Sequence, residues 1–211
     1  KVKQIVVPDV KYDVNFALVP TVDRCTSCHL GIDNPDYVEA EQPYRTHPDL
    51  DLYLTAASPH PIEQFGCTGC HSGRSRGTTF NSAVHMPNSM DSKHDWEEDY
   101  DWEKMHHWLK PMFPLKYTEA SCFKCHIEKP DIQGGEKLQL GLTIIDKAGC
   151  NSCHQIESYP KQFDTGPDLT RISDKVSKEW TRKWIQNPQS FRYNTWMPHF
   201  FNQENNSSPE M

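Results

Sequence analysis

Regular alternation of apolar and polar residues is confined to three short stretches of this chain. At the start, Lys3-Gln4-Ile5-Val6-Val7 leans towards extended structure and is ended by Pro8, which predicts a short strand or docking arm. Within residues 135–154, Leu138, Leu142, Ile145 and Gly149 fall on one helical stripe. Ser177 then reads as the N-cap of a helix whose apolar face carries Trp180, Trp184 and Ile185 and which Pro188 stops. Between the first stretch and the second the pattern dissolves into turn-forming residues. The expectation is a mainly α protein with much irregular structure, its short helices and long loops interrupted by 16 prolines.

Composition sharpens the difficulty. Only 36% of the 211 residues are hydrophobic, and the mean hydropathy is −0.78, so an ordinary apolar core would be meagre. The net charge of −7 argues against nucleic acid as a partner, because phosphate binding needs a concentrated basic face. No apolar run approaches the roughly 18 residues of a membrane span. The opening Lys1-Val2-Lys3 has neither an initiator methionine nor an apolar leader, so a signal peptide or N-terminal anchor is expected to have preceded it.

The missing core has a source in the cysteines. Cys-x-x-Cys-His occurs at Cys25–Cys28–His29, Cys67–Cys70–His71, Cys122–Cys125–His126 and Cys150–Cys153–His154, which together use all 8 cysteines. This is the c-type haem attachment pattern: two thiols become thioethers to the porphyrin, and the histidine ligates iron. Cysteines at i and i+3 lie on the same side of one helical turn, which presents the next histidine to the ring centre. Two four-cysteine zinc sites or redox-active dithiols would also use such pairs. Neither explains a histidine after every second cysteine. Four covalently bound haem c groups are therefore expected, numbered here as sites 1 to 4, and they would supply the apolar core. A haem-free chain should not fold properly.

Around site 4 the residues form a fuller pattern. Ala148-Gly149-Cys150-Asn151-Ser152-Cys153-His154, then Gly166-Pro167-Asp168-Leu169, a tryptophan-bearing helix and Met197-Pro198 follow one another. In this order residues 135–201 resemble a class I cytochrome c domain. The resemblance implies that His154 is the proximal ligand, Met197 the distal one, and Pro167 a brace on the proximal side.

Upstream, four segments carry a second likeness: Val22 to Asp33, Ser58-Pro59-His60-Pro61, Phe65-Gly66-Cys67-Thr68, and Pro111 to Cys122. They are similar to multihaem cytochromes found with quinol-oxidising, cytochrome bc-type membrane complexes. That resemblance implies a periplasmic or other extracytoplasmic electron carrier held at the membrane face by partner subunits or by an anchor. Its donor would be a cytochrome b or Rieske subunit, and its acceptor a soluble redox partner.

Sites 1–3 each need a sixth ligand or an open position. His60, His85 and His107 are the first candidates, with His47 in reserve; His94 and His199 read as structural or surface residues. Spacing does not assign a histidine to an iron, since sixth ligands can come from far along the chain. The expected organisation is a trihaem region over 1–134, a class I-like domain over 135–203 and a polar tail over 204–211. Three bis-histidine sites feeding a His/Met site would make a directional carrier with no substrate chemistry. A filament-forming conductor, or a multihaem reductase with an open iron, are the other readings. The acidic run Asp95–Glu103 reads as a solvated face or a docking patch for a basic partner.

Overall fold

The computed structural model describes residues 1–108, 110–127, 131–157, 159–160 and 165–201. The expected polar tail at 204–211 lies outside the described residues. Helix accounts for 35% and strand for 12%, with irregular chain making up the rest. The chain divides into two compact units, Lys1–Leu138 and Gln139–Met211.

The first unit opens with a hairpin, β1 (Ile5–Val14) against antiparallel β2 (Ala17–Asp23). Pro8 does not end the strand as the sequence suggests. The register shifts between Val7 and Lys11, and that irregularity accommodates a residue that cannot donate to the ladder. Asn15 and Phe16 make the turn with φ of 52° and 68°, the handedness that a two-residue hairpin loop requires. A second, parallel pair joins β3 (Tyr53–Leu54) to β4 (His60–Pro61). Two single-turn helices follow, α1 (Ile62–Phe65) and α2 (Thr68–His71). Next come α3 (Met90–Tyr100), opened by a Ser89–Ser92 capping box, and a 3-10 helix over Leu115–Lys124.

Apolar burial is sparse. Among the described residues the buried hydrophobic side chains are Val7, Val84 and Trp102. Polar groups do much of the tying: Trp102 donates its indole N–H to the His85 carbonyl at 2.9 Å, and Lys124 reaches the Gly69 carbonyl at 3.2 Å.

The division between units falls inside α4 (Glu136–Ala148). Its first turn belongs with the first unit because the Glu119 carboxylate accepts from the Lys137 and Leu138 N–H groups at 2.7 and 3.3 Å. Gly149, expected on the helical stripe, instead terminates the helix: its φ of 65° is left-handed, the usual glycine stop. In the second unit Ser177 caps α5 (Lys178–Gln186) by accepting from the Trp180 N–H. Pro188 then occupies the first turn of α6 (Pro188–Phe191), where its missing donor costs nothing.

Candidate haem-binding sites

Each of the four motifs is wound into one helical turn, and the same hydrogen bond closes each. The histidine N–H donates to the first cysteine's carbonyl at 3.1 Å in His29, 3.0 Å in His71, 2.9 Å in His126 and 3.0 Å in His154. This puts both thiols and the imidazole on a common side of the turn. Cys28, Cys125 and Cys153 are exposed, and Cys25, Cys67, Cys70, Cys122 and Cys150 are half-buried.

Zinc fits poorly. Among the described residues one cluster has metal-ligand spacing, Asp23 with Cys25 and Cys67, whose ligand atoms lie within 4.8 Å of one another. It mixes the first cysteines of two motifs and contains no complete Cys-x-x-Cys pair. Asp23 is fully buried, and its carboxylate accepts from the Cys25 N–H at 3.0 Å and the Cys67 and Thr68 N–H groups at 2.8 and 3.4 Å. The residue thus clamps motif 1 to motif 2. A hydrogen bond with Cys67, then burial, holds the Cys25 thiol far above its ordinary pKa.

The histidines are arranged in pairs. His29 faces His85 with ring centroids 6.2 Å apart. His71 lies 6.4 Å from His47, and His126 6.0 Å from His60. Two metal–nitrogen bonds of about 2 Å, with a ring on either side, require imidazole centroids roughly 6 Å apart. Each pair therefore has the centroid separation that one iron between a motif histidine and a distal one would require. His107 is not in this set: it is exposed in the turn before Trp108, and His94 is exposed on α3. His47, the reserve candidate, stands opposite His71 instead.

Backbone contacts orient these rings. His85 and His60 place Nδ1 against the carbonyls of Phe80 and Leu52 at 2.8 and 3.0 Å, which leaves Nε2 for metal. His47 differs, since its Nδ1 accepts from the Asp49 N–H at 3.2 Å. Phe80 stacks on His85 at 4.4 Å with the planes only 4° apart, and Trp96 packs edge-on against both rings. Burial lowers the pKa of His29, His47 and His85 and takes His71 down to about 4. At neutral pH these imidazoles are uncharged, as ligation requires; His47 would also give up its Asp49 contact, since an accepting Nδ1 leaves the proton on Nε2.

In the second unit His154 points Nδ1 at the Pro167 carbonyl, 2.8 Å away. Gly166 lies so close that a Cβ there would meet the His154 ring at 2.6 Å. Met197 Sδ accepts the indole N–H of Trp184 at 2.8 Å. Trp184 in turn belongs to an aromatic group with Trp180 and Phe191, at ring distances of 5.2 and 6.0 Å.

Residues 66–155, under half of the chain, match the family described as cytochrome c554 and c-prime. That match supports a c-type cytochrome. It implies covalently bound haem c and a role in electron transfer rather than substrate turnover. The matched segment takes in motifs two, three and four, but neither motif one nor Met197. No curated protein and no solved structure matches the chain.

Sequence reasoning missed Tyr53 and Phe80, and it gave no role to Asp23 and Gly166, which it met only inside longer segments. None lies in a Cys-x-x-Cys-His string, and each matters through a contact or close approach that only the folded chain shows.

Proposed function

We propose that this chain is a tetrahaem c-type cytochrome that carries electrons from a quinol-oxidising membrane complex to an extracytoplasmic redox partner. The observation that carries the reading is the set of three facing histidine pairs, each spaced for one iron, beside a fourth motif with its own candidate ligand in Met197. Haem c supplies an iron that exchanges single electrons between ferric and ferrous states.

The chain's residues set how easily that exchange occurs. Paired neutral imidazoles favour the ferric state relative to a His/Met pair, because thioether sulfur is the weaker donor and favours ferrous iron. The His154/Met197 site is accordingly the one of highest potential, and electron flow gains a direction towards it. An open-site reductase finds little support, since a distal candidate faces or accompanies each motif. The periplasmic setting and the cytochrome b or Rieske donor follow from the sequence resemblance.

The test is a redox titration of the native protein, monitored by its visible spectrum, after its covalent haems have been counted. Four haems with three low midpoints and one clearly higher one are expected. Zinc in place of iron, or four equivalent midpoints, would sink the reading. Purification from native membranes at moderate salt checks the partner, which should co-purify as a quinol-oxidising complex.

A further inference from the structure

Each distal imidazole in the first unit has an aromatic ring packed against it, but the rings are not distributed evenly. His85 at site 1 has its own partner in Phe80. His47 at site 2 and His60 at site 3 share one, although His60 also has Phe65 edge-on at 5.3 Å. The Tyr53 ring lies 5.2 Å from His47 and 5.1 Å from His60, stacked on the latter at 29°. The backbone enforces this, because Tyr53 and His60 are paired residues of β3 and β4, and the Leu52 carbonyl receives His60 Nδ1.

The ring planes divide the same way. His47 and His71 stand at 74° to each other, and His60 and His126 at 71°. His29 and His85 are inclined by only 35°. An imidazole turns easily about its bond to a metal, so its angle is decided by what touches the ring and by its second nitrogen's partner. We infer that Tyr53 is a shared positioning residue, one ring that holds the distal ligands of sites 2 and 3 near perpendicular to their proximal partners. The electronic character of these two irons is then set jointly, and separately from that of site 1.

The inference rests on the bis-histidine reading of sites 1–3 and has a spectroscopic signature. Axial imidazoles with near-parallel planes act on the same iron π orbital, split the pair widely and give a rhombic ferric signal. Perpendicular planes act on one orbital each, leave them nearly equal and give a broad signal at much lower field. Electron paramagnetic resonance of the ferric holoprotein should show one rhombic bis-histidine signal and two of the low-field kind.

Tyr53→Phe keeps the ring and should leave all three unchanged. Tyr53→Leu removes the flat surface and should displace both low-field signals together while the rhombic one stays. Phe80→Leu should do the reverse. If Tyr53→Leu does not mature with four haems, Tyr53→Trp, which retains a ring of different size, should still displace both low-field signals together. The inference falls if either variant moves only one signal or none, or if Tyr53→Phe is as disruptive as Tyr53→Leu. A wild-type protein without bis-histidine low-spin signals would instead overturn the ligand reading itself.

Discussion

On the proposed ligand reading, the two units bring a second ligand to an iron in opposite ways. In the second unit, motif, Gly166-Pro167 turn, α5 and Met197 follow in chain order, and the ligand comes from the segment that leaves the motif. In the first unit the ligands cross over. The partner of His29 lies beyond the second motif, at His85, and the partner of His126 lies before it, at His60. The difference teaches where specificity resides. Capped helices position the ligand in one case; in the other, irregular chain is held by buried polar contacts such as those of Asp23 and by rings packed on rings.

The largest effect that tests this contrast is haem removal. Among the described residues of the first unit, the buried hydrophobic ones are Val7, Val84 and Trp102, too few to offset chain entropy. Chain produced without haem attachment should give a largely disordered circular dichroism spectrum, with no cooperative melt and rapid proteolysis. A compact, cooperatively melting apoprotein would show that polar contacts suffice.

Next in size are the ligand substitutions. His85→Ala, His47→Ala and His60→Ala should each abolish one bis-histidine signal and raise one midpoint potential, whereas His107→Ala should change none. Met197→His should lower the highest midpoint by a substantial part of the roughly 0.8 V that axial ligands span, with the other three nearly unmoved. A thioether-to-ferric charge-transfer band that survived Met197→His would remove Met197 from the site.

Smaller effects probe the supports. Asp23→Ala leaves the part-buried N–H groups of Cys25, Cys67 and Thr68 without this acceptor, at up to about 1–3 kcal/mol for each group left unpaired. It should lower thermal stability and perturb sites 1 and 2 together. Gly166→Ala drives a methyl group into the His154 ring at 2.6 Å, an overpacking that costs about 1–3 kcal/mol. Its spectral consequences should be confined to site 4, and a change at sites 1–3 would break the distinction between the units.

What the sequence discloses follows the same division. Haem attachment is a local pattern, so the four motifs present eight thiols and four candidate proximal ligands without any structure. The second unit's helices obey capping and periodicity rules that Ser177, Trp180 and Trp184 display openly, although Gly149 marks an end where the stripe suggests continuation. The first unit withholds its distal ligands because no local rule couples His85 to a motif upstream of it. The sequence ranks His107 above His47, and only the fold turns His47 towards His71 and leaves His107 exposed. Asp23 is one acid among 29 acidic residues until burial singles it out.

The smallest expected effect concerns the surface of the first unit. In α3, Trp96 turns inward against Phe80 and His85, while Asp95, Glu98 and Asp99 are exposed. Glu97 differs in pairing with Lys93 at 3.1 Å. The acidic side chains therefore project from a helix that packs, through Trp96, against His85, the candidate distal ligand of site 1. A basic donor approaching there would be steered by long-range attraction, which acts on association rate and is screened by salt. Changing Asp95, Glu98 and Asp99 to their amides should slow association with such a partner several-fold at low ionic strength. It should also flatten the dependence of that rate on salt, with all four midpoints moving little because solvent screens exposed charges. Unchanged kinetics would make the acidic run a solvated face, and electron entry near site 1 would lose its electrostatic basis.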